Sequence, residues 1–507
     1  MTNCGWNLKH TYTGLPEIFY RYHKPVAAVN PKMVIFNREL AAELGLDPDS
    51  PCERLFSGTE LPAGAKPICQ AYGGYQFGHF AMLGDGRAVM LGEQVTPAGS
   101  MFDIQLKGAG PTPFSRGGDG FAALLPMLRE YIVSEAMHYL GIPTTRSLAV
   151  TLTGQPVLRD TVLPGAVLTR VAGSHVRVGT FNYAAAFGTK DDVQALADYC
   201  TRRHFPWLLE GRDGAALRRY ELFFREVARR QAKLIAQWQL VGFIHGVMNT
   251  DNMSVCGETI DYGPCAFMDV YDPDTVFSSI DAGGRYAYKN QPGIGAWNLA
   301  RLAEALLPLF DEDKKRAIEV AQEEIGGYWE AYEKCWLDGM REKLGLEGEE
   351  AGDAGLAEEL LDLMYKHKLD FTNTFRRLSG VGKKREVLSE IVNHDSAIGE
   401  CRVKPVVAGP IGSAKGALPG TPDFSAWLEK WTARRGGGQY DCVIDKHNPA
   451  VIPRNYHVEE ALTAAGRGDY GVMKDLLAAL RRPFEDGGVY AAVPVAGSCE
   501  YKTFCGT

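Results

Sequence analysis

Eleven cysteines are scattered through 507 residues with no Cys-x-x-Cys pair and no His/Cys cluster at zinc spacing, which excludes a zinc ribbon or a dithiol redox module. Most of these thiols are therefore expected to be reduced and buried, Cys505 in the tail TFCGT being the one expected to be exposed. No apolar run reaches the roughly 18 residues of a membrane span. The start MTNCGWNLKHTYTGLPEIF has neither a signal-peptide core nor an Arg-rich transit pattern, so a cytoplasmic location and no membrane partner are expected. Basic charge is also short: 54 Lys and Arg against 62 Asp and Glu leave a net charge of −8, which argues against a dedicated nucleic-acid binder but permits a local phosphate site. No glycine motif fits the dinucleotide fingerprint or a Walker A loop. What is plentiful is apolar residues, 45% against 23% charged, enough for one large core or two to three domain-sized ones.

The stretch from His245 to Gly263, HGVMNTDNMSVCGETIDYG, resembles the catalytic and metal-binding loops of a kinase with the base removed. Kinases place an Asn five residues after a catalytic Asp, and follow it with an Asp-Phe-Gly whose Asp holds metal. Here Val247 stands at the base position, Asn252 five residues on, and Asp261-Tyr262-Gly263 after it. Valine accepts no proton. A carboxylate stands instead at Asp251, beside the candidate metal ligand. Nucleotide and divalent metal handled without ordinary phosphorylation is the chemistry this combination suggests.

Upstream, FDIQLKG ends an alternating strand on Lys107, and Glu130 follows 23 residues later on a helix, the order in which kinases pair a phosphate-binding Lys with a helix Glu. Glu135 would face elsewhere. The segments YGGYQFGH (72–79), LGDGR (83–87) and KGAGPTPFSRGGDG (107–120) supply turns whose N–H groups can meet phosphate oxygens. Arg170 and Arg177, seven apart in VLTRVAGSHVRVG, can be returned to one region by an irregular strand, and planar guanidinium pairs favour polyphosphate.

These landmarks fit an α+β protein of kinase-like, bilobal type. Residues 1–65 read as an N-terminal extension with a helical pattern at Asn37 to Leu46. From 66 to 185 the runs RAVMLGEQV, FDIQLKGAG, SLAVTLTG, GAVLTRVAG and HVRVGTF read as about five strands of a twisted antiparallel sheet, interrupted by a helix from Pro126 to Leu140. Residues 186–345 read as a larger helical lobe carrying the catalytic and metal loops, with amphipathic helices at 215–241 and 296–310. LEGEEAGDAG (346–355) reads as a surface linker, GPIGSAKGALPG (409–420) and ARRGGGQ (433–439) as mobile loops, and 356–507 as a C-terminal helical extension and tail. No internal repeat is present.

Taken together, YGGYQFGHFAMLGDGR, QLKGAGPTPFSRGGDG, HGVMNTDNM and DYGPCAFMDVYDPD resemble the selenoprotein O family of kinase-fold protein adenylyltransferases, and the likeness extends from LPEIFYRY to NPAVIPRNYHVEEAL. The resemblance implies a flipped ATP whose α-phosphate faces the acceptor. AMP from ATP, with UMP from UTP as a further option, would pass to Ser, Thr or Tyr hydroxyls of proteins and pyrophosphate would leave. It further implies that Gly84, Gly86, Arg87, Lys107, Asp119, Gly120, Arg170 and Arg177 bind nucleotide, that Glu130 orients Lys107, that Asn252 and Asp261 hold Mg²⁺ or Mn²⁺, and that Asp251 is the base. Some family members pair a C-terminal Cys or selenocysteine with a Cys of the activation segment. DPDTVFSSID (272–281) has none, so any bridge from Cys505 is expected to use Cys265 or Cys256. A kinase-type phosphotransferase and a non-catalytic nucleotide-binding scaffold are the competing readings. Val247 weakens the first, and the retention of Lys107, Glu130, Asn252 and Asp261 weakens the second.

Overall fold

The computed structural model describes residues 4–210, 218–383, 421–436 and 441–493. Strands and helices are mixed, and most of the strands come first. In chain order they are β1 (Leu8–Lys9), β2 (Tyr20–Tyr22), β3 (Lys32–Phe36), β4 (Ile68–Gln70), β5 (Gly73–Gln76), β6 (His79–Met82), β7 (Ala88–Val95), β8 (Met101–Lys107), β9 (Ala122–Ala123), β10 (Arg146–Leu158), β11 (Val162–Ala172), β12 (Phe243–Ile244) and β13 (Ala266–Phe267). Nine of them form one sheet in the order β2-β4-β7-β8-β11-β10-β3, with β1 on β7 and β9 on β11, and its pairings are antiparallel. β5 and β6 make a separate hairpin. The sheet thus takes β1, β2 and β3 from residues before position 66, where only a helical pattern was legible. That pattern is the short helix α1 (Arg38–Glu43), whose N-cap Asn37 accepts from the Leu40 N–H.

Alternation explains the sheet. In β8, Ile104 and Leu106 are fully buried in an apolar cluster with Val89, Leu91, Val167 and Val171, while Asp103, Gln105 and Lys107 point to the opposite face. Packed beside the sheet is the helix α3 (Leu124–Tyr139), following the short α2 (Glu53–Phe56) in chain order; Pro126 lies in its first turn. HVRVGTF departs from the expected strand. It contributes a single bridge, Arg177 to Ser254, and then turns into α4 (Val178–Phe187), with Arg177 as N-cap. The pairing ends because Val178 donates to the Met253 carbonyl at 2.9 Å and Gly179 lets the helix press on Gly73, where a Cβ would stand 2.1 Å from its carbonyl oxygen.

Helices then dominate: α5 (Lys190–His204), α6 (Arg219–Val241), α7 (Gln291–Phe310), α8 (Lys314–Leu344), α9 (Asp353–Lys366), α10 (Phe371–Arg377), α11 (Pro422–Arg435), α12 (Asp441–His447), α13 (Asn455–Gly466) and α14 (Gly471–Leu480). α6 buries Phe223, Phe224, Val227, Leu234 and Trp238 on one face. It stops at Gly242 in the left-handed conformation, φ 70°, and so delivers the chain straight into the His245 loop. Trp238 is fully buried and donates to Thr259 Oγ1 at 2.9 Å; its truncation to Ala would cost about 3–5 kcal/mol. The acidic stretch 346–355 is not solely a linker. Asp353, buried, opens α9 and pairs with Arg341 and Arg434 at 2.8 and 2.7 Å.

Polar contacts tie the sheet and α3 to the elements around the site. Arg203 of α5 meets Asp103 at 2.6 Å, and Arg129 of α3 donates to the Cys265 carbonyl at 2.8 Å. On the far side of α3 pack α13 and α14, through Val458, Ala461, Met473 and Leu476. GPIGSAKGALPG, part of ARRGGGQ, and Cys505 lie outside the described residues. Among the described residues no helix is long and apolar enough to cross a membrane.

Candidate active site

Lys107 ends β8 with its ammonium 2.5 Å from Glu130 Oε2 and 2.5 Å from Asp261 Oδ1. Glu130 sits on α3, 2% exposed, and its other oxygen accepts from Arg170 Nη1 at 3.3 Å. Arg170 also reaches Asp261 Oδ1 at 3.3 Å and Gln105 Oε1 at 2.5 Å. Two cations and two carboxylates therefore share one buried cluster, the only arrangement in which such charges are tolerated away from water. Glu135, five residues further along α3 and so on another face of the helix, turns away as expected and pairs with Arg146 at 2.7 Å and Asn37 at 2.7 Å.

Arg177 lies with its guanidinium 4.2 Å above the Tyr72 ring, a cation–π contact. Its seven-residue separation from Arg170 is bridged by the end of β11 and the turn into α4. Both arginines line one cavity of about 110 Å³ together with Asp85, Arg87, Lys107, Asp251, Asn252 and Asp261. A larger adjoining cavity of about 550 Å³ shares Tyr72, Gly86, Arg87 and Asp251 and is also lined by Gly84, Asp119 and Gly120. Every nucleotide-site residue named from the sequence borders one of the two, except Glu130, which reaches the first through Lys107.

The glycines are there for packing as well as for turns. A Cβ on Gly84, φ 86°, would stand 2.5 Å from the Phe114 ring, and one on Gly120, φ 68°, 2.3 Å from the backbone of Gly110 and Pro111. Asp119 accepts from Arg159 at 2.8 Å and caps the Phe121 N–H at 3.0 Å; the Arg159 hydrogen bond holds its carboxyl below the usual range.

Asp251 and Asn252 lie in a single helical turn, Thr250 to Asn252. The turn is clamped by the hairpin: Tyr75 N–H donates to Thr250 Oγ1 at 2.9 Å and Phe77 N–H to Asn249 Oδ1 at 3.2 Å. Asn252 Nδ2 donates to the Val247 carbonyl at 3.0 Å, which leaves its side-chain oxygen to other partners. Asp251 is buried, its Oδ1 has no hydrogen-bond partner, and burial pushes its carboxyl up to about 6. Asp261 differs. Burial raises it too, but the charges of Lys107 and Arg170 prevail and hold it well below the usual carboxylate range. Its side chain keeps 30% of its surface open, and its backbone has φ 118°, a conformation non-glycine residues rarely accept outside functional sites.

Among the described residues no set of three or more His, Cys, Asp or Glu side chains converges to hold an ion alone. Mg²⁺ does not require one, since it is commonly held by one or two carboxylates with waters and substrate phosphates. Asn252 and Asp261 supply oxygen ligands of that kind.

Three residues of the site were not singled out from the sequence: Tyr72 and Asp85, which line it, and Gln105, buried behind Arg170. Asp85 was visible inside LGDGR, and Gln105 could have been found from the polar positions 103, 105 and 107 alternating with Ile104 and Leu106. Nothing in the sequence alone pairs Tyr72 with Arg177.

A family model described as "Protein adenylyltransferase SelO" matches residues 5–481. A protein of Halalkalibacterium halodurans named "Protein nucleotidyltransferase YdiU" is 53% identical over 517 residues, covering 99% of this chain and 98% of that one. A protein of the same name from Bacillus thuringiensis subsp. konkukian is 51% identical over 518 residues, covering 99% of both. The matches define an enzyme of the nucleotidyltransferase class. Within that class, the chain belongs to the SelO family.

Proposed function

We propose that this enzyme transfers AMP from ATP to Ser, Thr or Tyr hydroxyls of proteins, with UTP as a second donor, in a kinase-like bilobal frame whose cleft holds the nucleotide. The observation that carries the reading is the pairing of a base position filled by Val247 with a buried carboxylate at Asp251 whose Oδ1 has no hydrogen-bond partner.

Lys107 and Arg170, fixed by Glu130, and Arg177, seated on Tyr72, bind the polyphosphate, with Gly84, Gly86, Arg87, Asp119 and Gly120 lining the rest of the nucleotide path. Asn252 and Asp261 would hold Mg²⁺ or Mn²⁺, which would supply neutralisation of phosphate charge and orientation of the donor. Asp251 takes the proton of the acceptor hydroxyl; its raised pKa matches that task near neutrality. As the oxygen bonds to the α-phosphorus, the bond from that phosphorus to the bridging α–β oxygen breaks. Pyrophosphate carries the released electron pair away, and Lys107, Arg170 and Arg177 stabilise its charge.

Transfer of label from ATP tagged at the α-phosphate tests the reading, and γ-label alone in protein would reject it. Asp251→Asn is expected to lower transfer at least about a hundredfold, the usual scale for a general base, while leaving ATP affinity within about threefold.

A further inference from the structure

Asp85 is 2% exposed and borders the smaller cavity of the site. Its Oδ2 accepts from the Gln70 N–H at 3.0 Å and from Gln105 Nε2 at 3.1 Å. Gln105, fully buried, turns its Oε1 to Arg170 Nη2 at 2.5 Å. Arg170 in turn reaches Glu130 and Asp261. The chain Asp85, Gln105, Arg170 therefore runs from the glycine loop to the metal-loop carboxylate, and the cross-strand register that places Arg170 opposite Gln105 makes it possible.

Chemistry fixes the direction of every bond in that chain. A carboxylate only accepts and a guanidinium only donates, so the amide between them has a single satisfactory orientation, NH₂ toward Asp85 and carbonyl toward Arg170. The backbone of Asp85 anchors the same loop: its carbonyl accepts from Thr112 Oγ1 at 2.7 Å, and its N–H donates to the Gln70 carbonyl at 2.9 Å.

We infer that Asp85 and Gln105 are a positioning pair for the nucleotide site: Asp85 locks the Gln105 amide, and the locked amide holds the Arg170 guanidinium flat for phosphate. Neither residue touches the reacting atoms. The inference rests on the reading of Arg170 as a phosphate ligand. It adds that the ligand's aim is set by two residues behind it.

An exchange of the two functional groups tests this. Asp85→Asn can present its NH₂ to Gln105, invite the amide to flip, and aim a donor at Arg170. Gln105→Glu places two carboxylates together. Combined, D85N and Q105E restore the order of donors and acceptors from position 85 through 105 to Arg170 at unchanged net charge: the amide introduced at position 85 donates to the carboxylate introduced at position 105, that carboxylate accepts from Arg170, and the Gln70 N–H, which shares Asp85 Oδ2 in the wild type, is left to the introduced amide's oxygen.

Affinity for a non-hydrolysable ATP analogue with Mg²⁺, measured by calorimetry on the full chain, is expected to fall about 10-fold or more in each single variant, the scale of a hydrogen bond to a charged group. It should return to within about threefold in the double variant. A double variant no tighter than the weaker single one, or a D85N protein that binds as the wild type does, would overturn the inference. If D85N does not fold, Gln105→Met supplies the test, since it keeps the volume and removes both contacts. The same affinity loss with kcat lowered less than KM is raised supports the pair, and unchanged affinity rejects it. Because binding is read without group transfer, a failure of α-label transfer with the rescue intact would count against the proposed reaction and not against this pair.

Discussion

The Lys107 ammonium lies 2.5 Å from Asp261 Oδ1, so the end of a sheet strand and the metal loop meet in a direct ion pair. Glu130 holds the same ammonium from the other side at 2.5 Å. A cation between two carboxylates leaves an unbalanced charge whichever partner is removed. Lys107→Ala and Glu130→Ala are each expected to lower transfer severely and to cost roughly 3 kcal/mol of stability. The double variant should be little worse than either one, because the residues act as a unit. Kinetics and denaturant melts on the three variants check this, and additive losses in both would show that the pair is not functional.

The proposed metal role would give Asp261 a second use. With metal and nucleotide bound, its carboxylate is expected to turn to the ion, while Lys107 passes to phosphate. Asp261→Ala should remove the metal dependence of nucleotide binding in calorimetry with and without Mg²⁺, and should abolish transfer. Val247→Ala, at a position where no proton moves, should leave the rate within about threefold after correction for the ~1 kcal/mol typical of losing buried methyl groups. Metal dependence that survives in Asp261→Ala contradicts the assignment.

Burial lifts Asp251 to about 6. Its folded pKa stands above the unfolded one, so the favourable contribution to stability is complete below about pH 4 and is lost as pH rises through about 6. Above that, the charged carboxylate costs roughly 2–3 kcal/mol. Asp251→Asn should therefore be more stable than the wild type near pH 8 and about equal to it near pH 4, while transfer is nearly lost. Thermal melts at the two pH values check the sign. The wild-type rate should fall on the acid side with a midpoint near 6.

Gly74 offers a steric test. A Cβ there would stand 2.2 Å from Asp251 Oδ1, so Gly74→Ala must displace the carboxylate. A displacement of about 1 Å is enough to lower kcat by about a hundredfold. ATP affinity should change by less than about threefold, and equal losses in kcat and affinity would mean that the hairpin holds nucleotide rather than the base.

Spacing made the site legible where the chain runs through local motifs. Lys107 at the end of an alternating strand, Glu130 on the next helix, and Asn252 and Asp261 on their loops could be ordered from sequence because each depends on its own element. Long-range pairing was hidden. β1, β2 and β3 are short, and their sheet partners lie far along the chain, so they carry no strong period of their own. HVRVGTF has strand composition, yet the close approach of Gly179 to Gly73 turns it into a helix. Asp85 and Gln105 look like a turn residue and a strand residue until the register of β8 against β11 sets Gln105 before Arg170. The bridge expected from Cys505 to Cys265 or Cys256 falls on a residue outside the described ones, while Cys265 itself is fully buried, its thiol pushed up to about 12 by burial.

In the proposed reaction the acceptor hydroxyl attacks the α-phosphorus of ATP and not the γ. Incubating the full chain with ATP labelled at one or the other phosphate, in Mg²⁺ or Mn²⁺ and with a mixture of protein acceptors, tests it most directly. Protein-bound α-label with pyrophosphate released, absent in Asp261→Ala, is the expected result; γ-label in protein without α-label would contradict the account.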